Sequence, residues 1–246
     1  MPRLVAILAA LILMELVCAV AQAEEFSRTN AQLIYGSGFH DPTQDPNTVD
    51  GKVGTIALEH FGTWKQGDNY FLANLYEGDQ VGDPNAGTGH DTRIYVKWVS
   101  RVRVAKTEAG PVRDYFVSGR IDRTGNGYYA NMIGLAFDFS LPKQTFVGIN
   151  IYLKKDRFNS ATVQLSPFWY VTFLISHLPF LFTGYVDISG TDHLGVDVVA
   201  GPHLLADIGK PMFGKTETLY LGSTCSIHLN DVASVTAFQA ELRWNW

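Results

Sequence analysis

The sequence predicts an all-β protein, a transmembrane antiparallel up-and-down β-barrel of about 12 strands. Many short segments alternate apolar and polar residues with period 2, as strands with one apolar and one polar face do. Clusters of Gly, Asp, Asn and Pro separate these segments and are typical of turns and loops. The mean hydropathy is +0.02. A value so near zero fits alternating faces better than the apolar blocks of a helical membrane protein.

The C-terminal segment, residues 236–246, shows both faces of such a strand. One side is apolar and the other is mostly polar. The first comprises Phe238, Ala240, Leu242, Trp244 and Trp246; the second comprises Ala237, Gln239, Glu241, Arg243 and Asn245. A soluble sheet gives the same alternation, but two Trp at one end suit a membrane–water interface. We therefore expect the apolar side to meet lipid and the polar side to meet a wet lumen.

The first residues of the chain predict export. Arg3 precedes the apolar run 4–14, and Ala21 and Ala23 supply small residues before Glu24. Residues 1–23 are thus interpreted as a signal peptide, with an uncleaved membrane anchor as the alternative, and residues 24–246 as one barrel domain. That domain holds one cysteine, Cys225, and so forms no intramolecular disulfide. A net charge of −5 does not indicate a basic surface for binding nucleic acid.

An even number of strands would return both chain ends to the periplasmic side. The predicted strands are residues 31–39, 53–61, 69–77, 92–104, 114–122, 128–139, 145–155, 162–176, 179–189, 196–208, 217–228 and 236–246. Residues 167–186 are long and apolar enough for a transmembrane helix, but Pro179 and the many Phe, Val, Tyr and Thr favour a strand–turn–strand. Gly201 and Pro202 interrupt the tenth segment and leave its register open.

Residues 92–104 carry a basic face. The side chains at even positions are mostly apolar and include Ile94, Val96, Trp98, Val102 and Val104. Those at odd positions are mostly cationic and include Arg93, Tyr95, Lys97, Arg101 and Arg103. An exposed edge strand with a solvated basic face would give this pattern too. In a barrel the cations must face the lumen, since Arg on the lipid side near the midplane would cost ~2–4 kcal/mol.

The same alternation assigns further polar side chains to the lumen. With the basic strand, the candidate channel-lining residues are Glu59, Arg93, Tyr95, Lys97, Arg101, Arg120, Asn150, Tyr152, Tyr170, Asp187, Gln239, Glu241 and Arg243. Charges of both signs across a wet interior would align polar solutes, and Tyr rings could stack a flat base. A generic polar lumen closed by salt bridges is an equally good interpretation of these side-chain types.

Catalytic, metal and cofactor sites are not predicted. His40 with Asp41 and His90 with Asp91 are neighbours in loops, but geometry rather than adjacency makes a catalytic pair. The sequence contains no G-x-S-x-G motif and no Cys or His spacing typical of a metal site.

Several motifs, in order along the chain, resemble the Tsx-type (OmpK-like) nucleoside channels of Gram-negative outer membranes. They are NAQLIYG at 30–36, LEH at 58–60, WKQGDNYF at 64–71, GINIY at 148–152 with Lys155-Asp156, LLADIGK at 204–210 and the aromatic terminus. The resemblance implies a narrow barrel of twelve strands that passes nucleosides by diffusion, with Glu59, Asn74, Tyr152 and the basic strand in the pore. Gly222-Ser223-Thr224 lacks the acidic residue expected there, which affects specificity rather than fold.

These observations together predict a monomeric, noncatalytic diffusion channel in the bacterial outer membrane, in contact with its lipid. We expect it to pass small polar solutes, with nucleosides favoured, and to need no cofactor. Two alternatives stay open. The first is an outer-membrane enzyme, a lipid hydrolase or protease at the barrel rim, and the second is a surface receptor or structural barrel with a plugged lumen.

Overall fold

A computed structural model gives the fold and describes residues 25–39, 51–79, 90–125, 127–141, 145–231 and 234–246. The predicted signal peptide and His40-Asp41 lie outside these ranges. The strands are β1 (Phe26–Phe39), β2 (Gly51–Trp64), β3 (Gly67–Asp79), β4 (His90–Lys106), β5 (Val112–Thr124), β6 (Tyr129–Phe139), β7 (Thr145–Asp156), β8 (Thr162–Ile175), β9 (Leu178–Gly190), β10 (Val196–Asp207), β11 (Leu219–Leu229) and β12 (Ser234–Asn245). One short helix, α1 (Gly209–Phe213), lies between β10 and β11.

The strands form one closed antiparallel barrel. Each strand pairs with its neighbours in sequence, and β1 pairs with β12 from Asn30 opposite Asn245 to Gly36 opposite Gln239. The predicted fold class and strand number are confirmed. Closure gives every strand two partners, so β4 is not an exposed edge and that alternative is wrong. Phe26 and Asn245 lie at the same end of the barrel, which we call the periplasmic end.

The outer surface of the barrel is apolar and its interior is polar, as the period-2 pattern predicts. Ile133, Val104 and Phe238 are 63%, 61% and 72% exposed on the outside. Lys97 and Arg101, on the opposite parity of β4, are buried within the barrel. The lipid-facing surface therefore avoids the cost of desolvating a cation, and the predicted direction of the basic face is confirmed.

β8 and β9 form a tight hairpin. Ser176 and His177 connect them with φ of 47° and 73°, the left-handed backbone of a two-residue type I′ turn. Pro179 lies opposite Leu174, and pairing of β9 with β10 begins only at Phe180, so Pro179 needs to donate no ladder hydrogen bond. The helical alternative for residues 167–186 is wrong. Elsewhere in the described ranges, too, no helix is long and apolar enough to cross a membrane.

The register that the sequence left open in β10 is continuous toward β9. Pro202 lies opposite Gly184, and the pairing runs without a shift from Val196 to Ala206. Toward β11, no partner pairs with Gly201 or Pro202, because proline lacks the N–H that a ladder requires. The interruption predicted at these two residues is therefore confined to one side of the strand.

The turn that contains α1 is fastened by a buried carboxylate. Asp207 is fully buried and accepts hydrogen bonds from the backbone N–H groups of Gly209 at 2.9 Å and Glu217 at 2.7 Å. Gly214 ends the helix with φ of 71°, a conformation that glycine adopts without strain. The sequence predicts a turn here but not a helix. Asp207 thereby places Glu217 at the periplasmic mouth of the barrel.

Candidate functional site

The barrel encloses a cavity of about 1530 Å³. Phe26 and Glu217 border it at the periplasmic end, and Asn159, His193 and Asn230 border it at the opposite end. Its walls are the inward-facing side chains of the strands, because alternate residues of a strand point to one face. The cavity therefore extends over the height of the barrel.

Nearly all the predicted channel-lining residues border this cavity. Those that do are Glu59, Asn74, Arg93, Tyr95, Lys97, Arg101, Arg120, Asn150, Tyr170, Asp187, Gln239 and Arg243. Tyr152 and Glu241 also point inward, but each is 1% exposed and lies behind other side chains. Tyr152 consequently offers no open ring face for stacking, which corrects the role predicted for it.

A charged bridge crosses the lumen between β5 and β9. Arg120 donates two hydrogen bonds to the Asp187 carboxylate, of 2.9 and 2.8 Å, and two more to Asp122 on its own strand. Lys97 of β4 joins the same group: its ammonium lies 3.9 Å from Asp187 and 4.0 Å from the ring centroid of Tyr185. Because β4 and β5 are not neighbours of β9, these contacts narrow the lumen rather than line one wall.

The interior around Tyr152, between β5, β6 and β7, is filled by side chains. Tyr152 packs with Ala130 and Met132, and its hydroxyl is 2.8 Å from that of Ser118. All four residues are almost completely buried, and none borders the cavity. This part of the lumen is packed like a protein core and is not available to a solute.

The opposite wall, formed by β12, β1, β2 and β3, presents polar groups to the cavity. Gln32 donates to Glu59 at 2.8 Å, and Asn74 donates to the Tyr76 hydroxyl at 2.6 Å. Arg243 is held by Glu241 at 2.8 Å, and this glutamate also lies 2.5 Å from a ring nitrogen of His203. This wall of the cavity thus offers hydrogen-bonding groups whose charges are mostly compensated.

The periplasmic third of the lumen contains a second arginine between acidic partners. Arg101 donates to Asp68 at 2.7 and 2.6 Å and to Asp138 at 2.7 and 3.2 Å. Its guanidinium also lies 4.4 Å from the ring centroid of Phe116 and 5.2 Å from that of Phe168. The Arg101 guanidinium is therefore surrounded by two carboxylates and by aromatic rings.

A row of phenylalanines at this level was not predicted as part of the site. The ring centroids of Phe26 and Phe61 are 6.3 Å apart, those of Phe61 and Phe146 are 6.4 Å apart, and those of Phe146 and Phe168 are 5.5 Å apart. All four border the cavity, and the Phe61–Phe146 contact crosses from β2 to β7. The strand parity of these residues could have revealed their inward direction, but the row itself depends on contacts between distant strands.

The extracellular end is ordered by loop hydrogen bonds, and His193 and His228 border the cavity there. Asp192 accepts from the backbone N–H and the hydroxyl of Ser160, both at 2.8 Å, and these bonds lower the pKa of the Asp192 carboxyl. Asp197 lies 2.8 Å from His228 Nε2 and 3.0 Å from the Asn230 amide nitrogen. The side chains of His90 and Asp91 are outside the described part of the chain.

Comparison with known proteins agrees with the barrel. No family model and no curated protein matches the sequence. Among solved structures, the COG4313 outer membrane channel from Pseudomonas putida F1 is similar at a TM-score of 0.50 and 10% identity, over 91% of this chain and 97% of that one. A KdgM porin gives a TM-score of 0.49 at 8% identity, over 88% of this chain and 98% of that one.

The fold is that of an outer-membrane β-barrel. Its apolar outer surface suits hydrocarbon, and its closed sheet leaves no edge whose backbone groups would lack partners there. The barrel therefore resides in the bacterial outer membrane. Membership in the Tsx-type family stays a prediction from the sequence motifs.

Proposed function

We propose that this protein is a noncatalytic diffusion channel for small polar solutes, with nucleosides as the favoured class, and that it acts as a monomer. The observation that carries the proposal is the cavity that borders residues at both ends of the barrel. Such a cavity gives a solute an aqueous route across the hydrocarbon region. The bridge between Arg120 and Asp187 restricts that route to small molecules.

The charge arrangement favours neutral, hydrogen-bonding solutes. Lys97 and Arg120 are balanced by Asp122 and Asp187, and Arg243 is balanced by Glu241. A small ion gains little from a compensated wall, whereas a sugar or base can exchange hydrogen bonds with it. In this proposal Glu59 accepts hydrogen bonds from ribose hydroxyls.

Base stacking would be provided by tyrosines that border the cavity, Tyr70 and Tyr95. An aromatic face binds a flat base with little dependence on its identity. The lumen wall thus offers a stacking surface and hydroxyl-binding groups to one nucleoside, and it requires no covalent chemistry.

Single-channel recording in planar bilayers tests the proposal. The purified protein is expected to conduct ions, and added uridine or adenosine should reduce the open-channel current reversibly, while glycerol of the same concentration should not. Glu59→Gln should weaken the nucleoside effect without abolishing conductance. Glu108→Gln, on the exposed periplasmic turn, is the matched control. If nucleosides do not change the conductance, the proposed substrate class is wrong. If the protein does not conduct at all, the proposed channel function is wrong.

A plugged barrel is the second candidate, because the bridge and the Arg101 cluster are buried ion-pair lattices. A plugged barrel predicts no conductance even when Asp187 or Phe61 is replaced.

The rim-enzyme alternative has less support, because a hydrolase of this kind needs a serine that is hydrogen-bonded to a histidine. Ser226, two residues before His228, instead donates to Gln239 at 2.8 Å. Hydrolysis of phospholipid vesicles that is lost in His228→Ala would favour the enzyme.

A further inference from the structure

The periplasmic part of the lumen combines an apolar wall with a cation whose carboxylate partner is half exposed. The wall is the phenylalanine row of Phe26, Phe61, Phe146 and Phe168. The cation is Arg28 on β1, whose guanidinium lies 5.7 Å from the ring centroid of Phe26 and 5.8 Å from that of Tyr170. All of these residues border the same cavity. An apolar surface beside such a cation is complementary to a molecule with an apolar ring and one negative charge.

Arg28 differs from Arg101, Arg120 and Arg243 in the location of its carboxylate partner. Arg101, Arg120 and Arg243 pair with carboxylates on the strands of the barrel. Arg28 donates to Glu217, which lies in the turn between α1 and β11, and to the Tyr170 hydroxyl. The partner of Arg28 is therefore not held in the sheet.

A ligand could replace Glu217 beside Arg28 at lower cost than it could replace Asp68 beside Arg101. The Glu217 side chain is 51% exposed, and ion pairs in contact with water contribute little to stability. When Glu217 leaves, its carboxylate becomes hydrated, so no buried charge is left without a partner. If a ligand displaced Asp68 from Arg101, the buried Asp68 carboxylate would lose its positively charged partner, which is strongly unfavourable.

We propose that the phenylalanine row and Arg28 form a binding site for small amphipathic anions, compact aromatic carboxylates of the benzoate type. The carboxylate displaces Glu217 from the guanidinium of Arg28, and the ring packs on Phe61 and Phe146. The inference deepens the proposed channel function, on which it rests, by giving the periplasmic part of the path a ligand class of its own. Two parallel N–H donors of one guanidinium match the two oxygens of a carboxylate.

Equilibrium binding measured by titration calorimetry tests the site without requiring an open channel. The full chain in detergent micelles is titrated at neutral pH with sodium benzoate, benzyl alcohol and sodium acetate, with protein-free micelles as the blank. Benzoate should bind roughly tenfold or more tightly than either of the other two, because only benzoate has both the ring and the charge.

Two pairs of variants assign the contacts. Arg28→Gln and Phe61→Leu should each weaken benzoate binding, the first by roughly tenfold or more because a charged hydrogen bond is lost. Arg157→Gln, on an exposed loop at the other end, and Phe238→Leu, on the outer surface, are the matched controls and should bind as the unmodified protein does. Folding of each variant is checked by the shift in electrophoretic mobility on heating.

The outcomes separate this inference from the channel proposal. Equal affinity for benzoate and benzyl alcohol, unchanged affinity in Arg28→Gln, or no binding heat at all would overturn the anion site. A protein that conducts in bilayers but fails these tests retains the channel function alone. A protein that binds benzoate through Arg28 but does not conduct retains the site and loses the channel.

Discussion

Arg120 and Asp187 are joined by two parallel hydrogen bonds of 2.9 and 2.8 Å, although their strands, β5 and β9, are not neighbours in the barrel. Both side chains are buried, so the pair ties two walls together inside the lumen. A guanidinium that faces a carboxylate in this way fixes orientation as well as charge. The narrowest part of the proposed path should therefore depend on this pair.

Asp187→Asn should change both ion selectivity and stability. The substitution leaves Lys97 and Arg120 with one carboxylate fewer, so the current should shift toward anions. Removal of one partner of a buried pair should also lower the free energy of unfolding, by about 3 kcal/mol. Reversal potentials under a KCl gradient and denaturant unfolding in micelles measure the two effects. Asp192→Asn, on an exposed loop, is the control, and unchanged selectivity in Asp187→Asn would mean that ions do not pass the bridge.

Tyr185→Ala should increase single-channel conductance. The Tyr185 ring lies 4.0 Å from the Lys97 ammonium and borders the cavity, so its removal widens the lumen beside the bridge. The lost cation–π contact should cost roughly 0.5–2 kcal/mol of stability. Tyr35→Ala, on the outer surface, should leave conductance unchanged. A lower conductance in Tyr185→Ala would contradict a constriction at this position.

Tyr152→Phe should destabilise the barrel without altering conductance. The hydroxyl of Tyr152 is buried and hydrogen-bonded to Ser118, outside the cavity. Loss of the bond should cost about 1 kcal/mol in the free energy of unfolding. Denaturant titration and planar-bilayer recording are the two measurements. A change in open-channel current would show that the packing around Tyr152 is not solid and that solutes reach this side chain.

Leu135→Arg should be strongly destabilising because Leu135 faces outward near the middle of β6 and is 53% exposed. A cation placed in the hydrocarbon region costs about 2–4 kcal/mol at the midplane and about 0–1 kcal/mol near the interfaces. Leu141→Arg, beyond the periplasmic end of β6, is the matched control. If the two variants had equal free energies of unfolding, the outer face of β6 at Leu135 would not be in contact with lipid.

Strand parity is the part of the site that the sequence predicted well. Glu59, Lys97, Arg120 and Asp187 all point inward as expected, because the energetic cost of a charge in lipid leaves only one face for it. Parity does not show which inward residues meet. Tyr152 illustrates this limit, since it points inward yet packs against Ala130 and Met132 instead of facing the cavity.

Contacts between distant strands were beyond sequence reasoning. The Phe61–Phe146 contact and the Arg28–Glu217 pair each join residues far apart in the chain. No local sequence pattern indicates which distant residues come into contact. The register of β10 at Pro202 belongs to the same class, because a missing N–H weakens a ladder but does not say how its neighbours respond.

The sequence by itself determined a barrel with an apolar exterior and a charged interior, because the period of a strand and the cost of charges in hydrocarbon are local physics. Tertiary structure alone decided which inward charges neutralise one another, which part of the lumen is filled and which cation pairs with a carboxylate outside the strands. Those outcomes depend on the closure of β1 against β12, which sets the distances across the lumen, and no single strand carries that information.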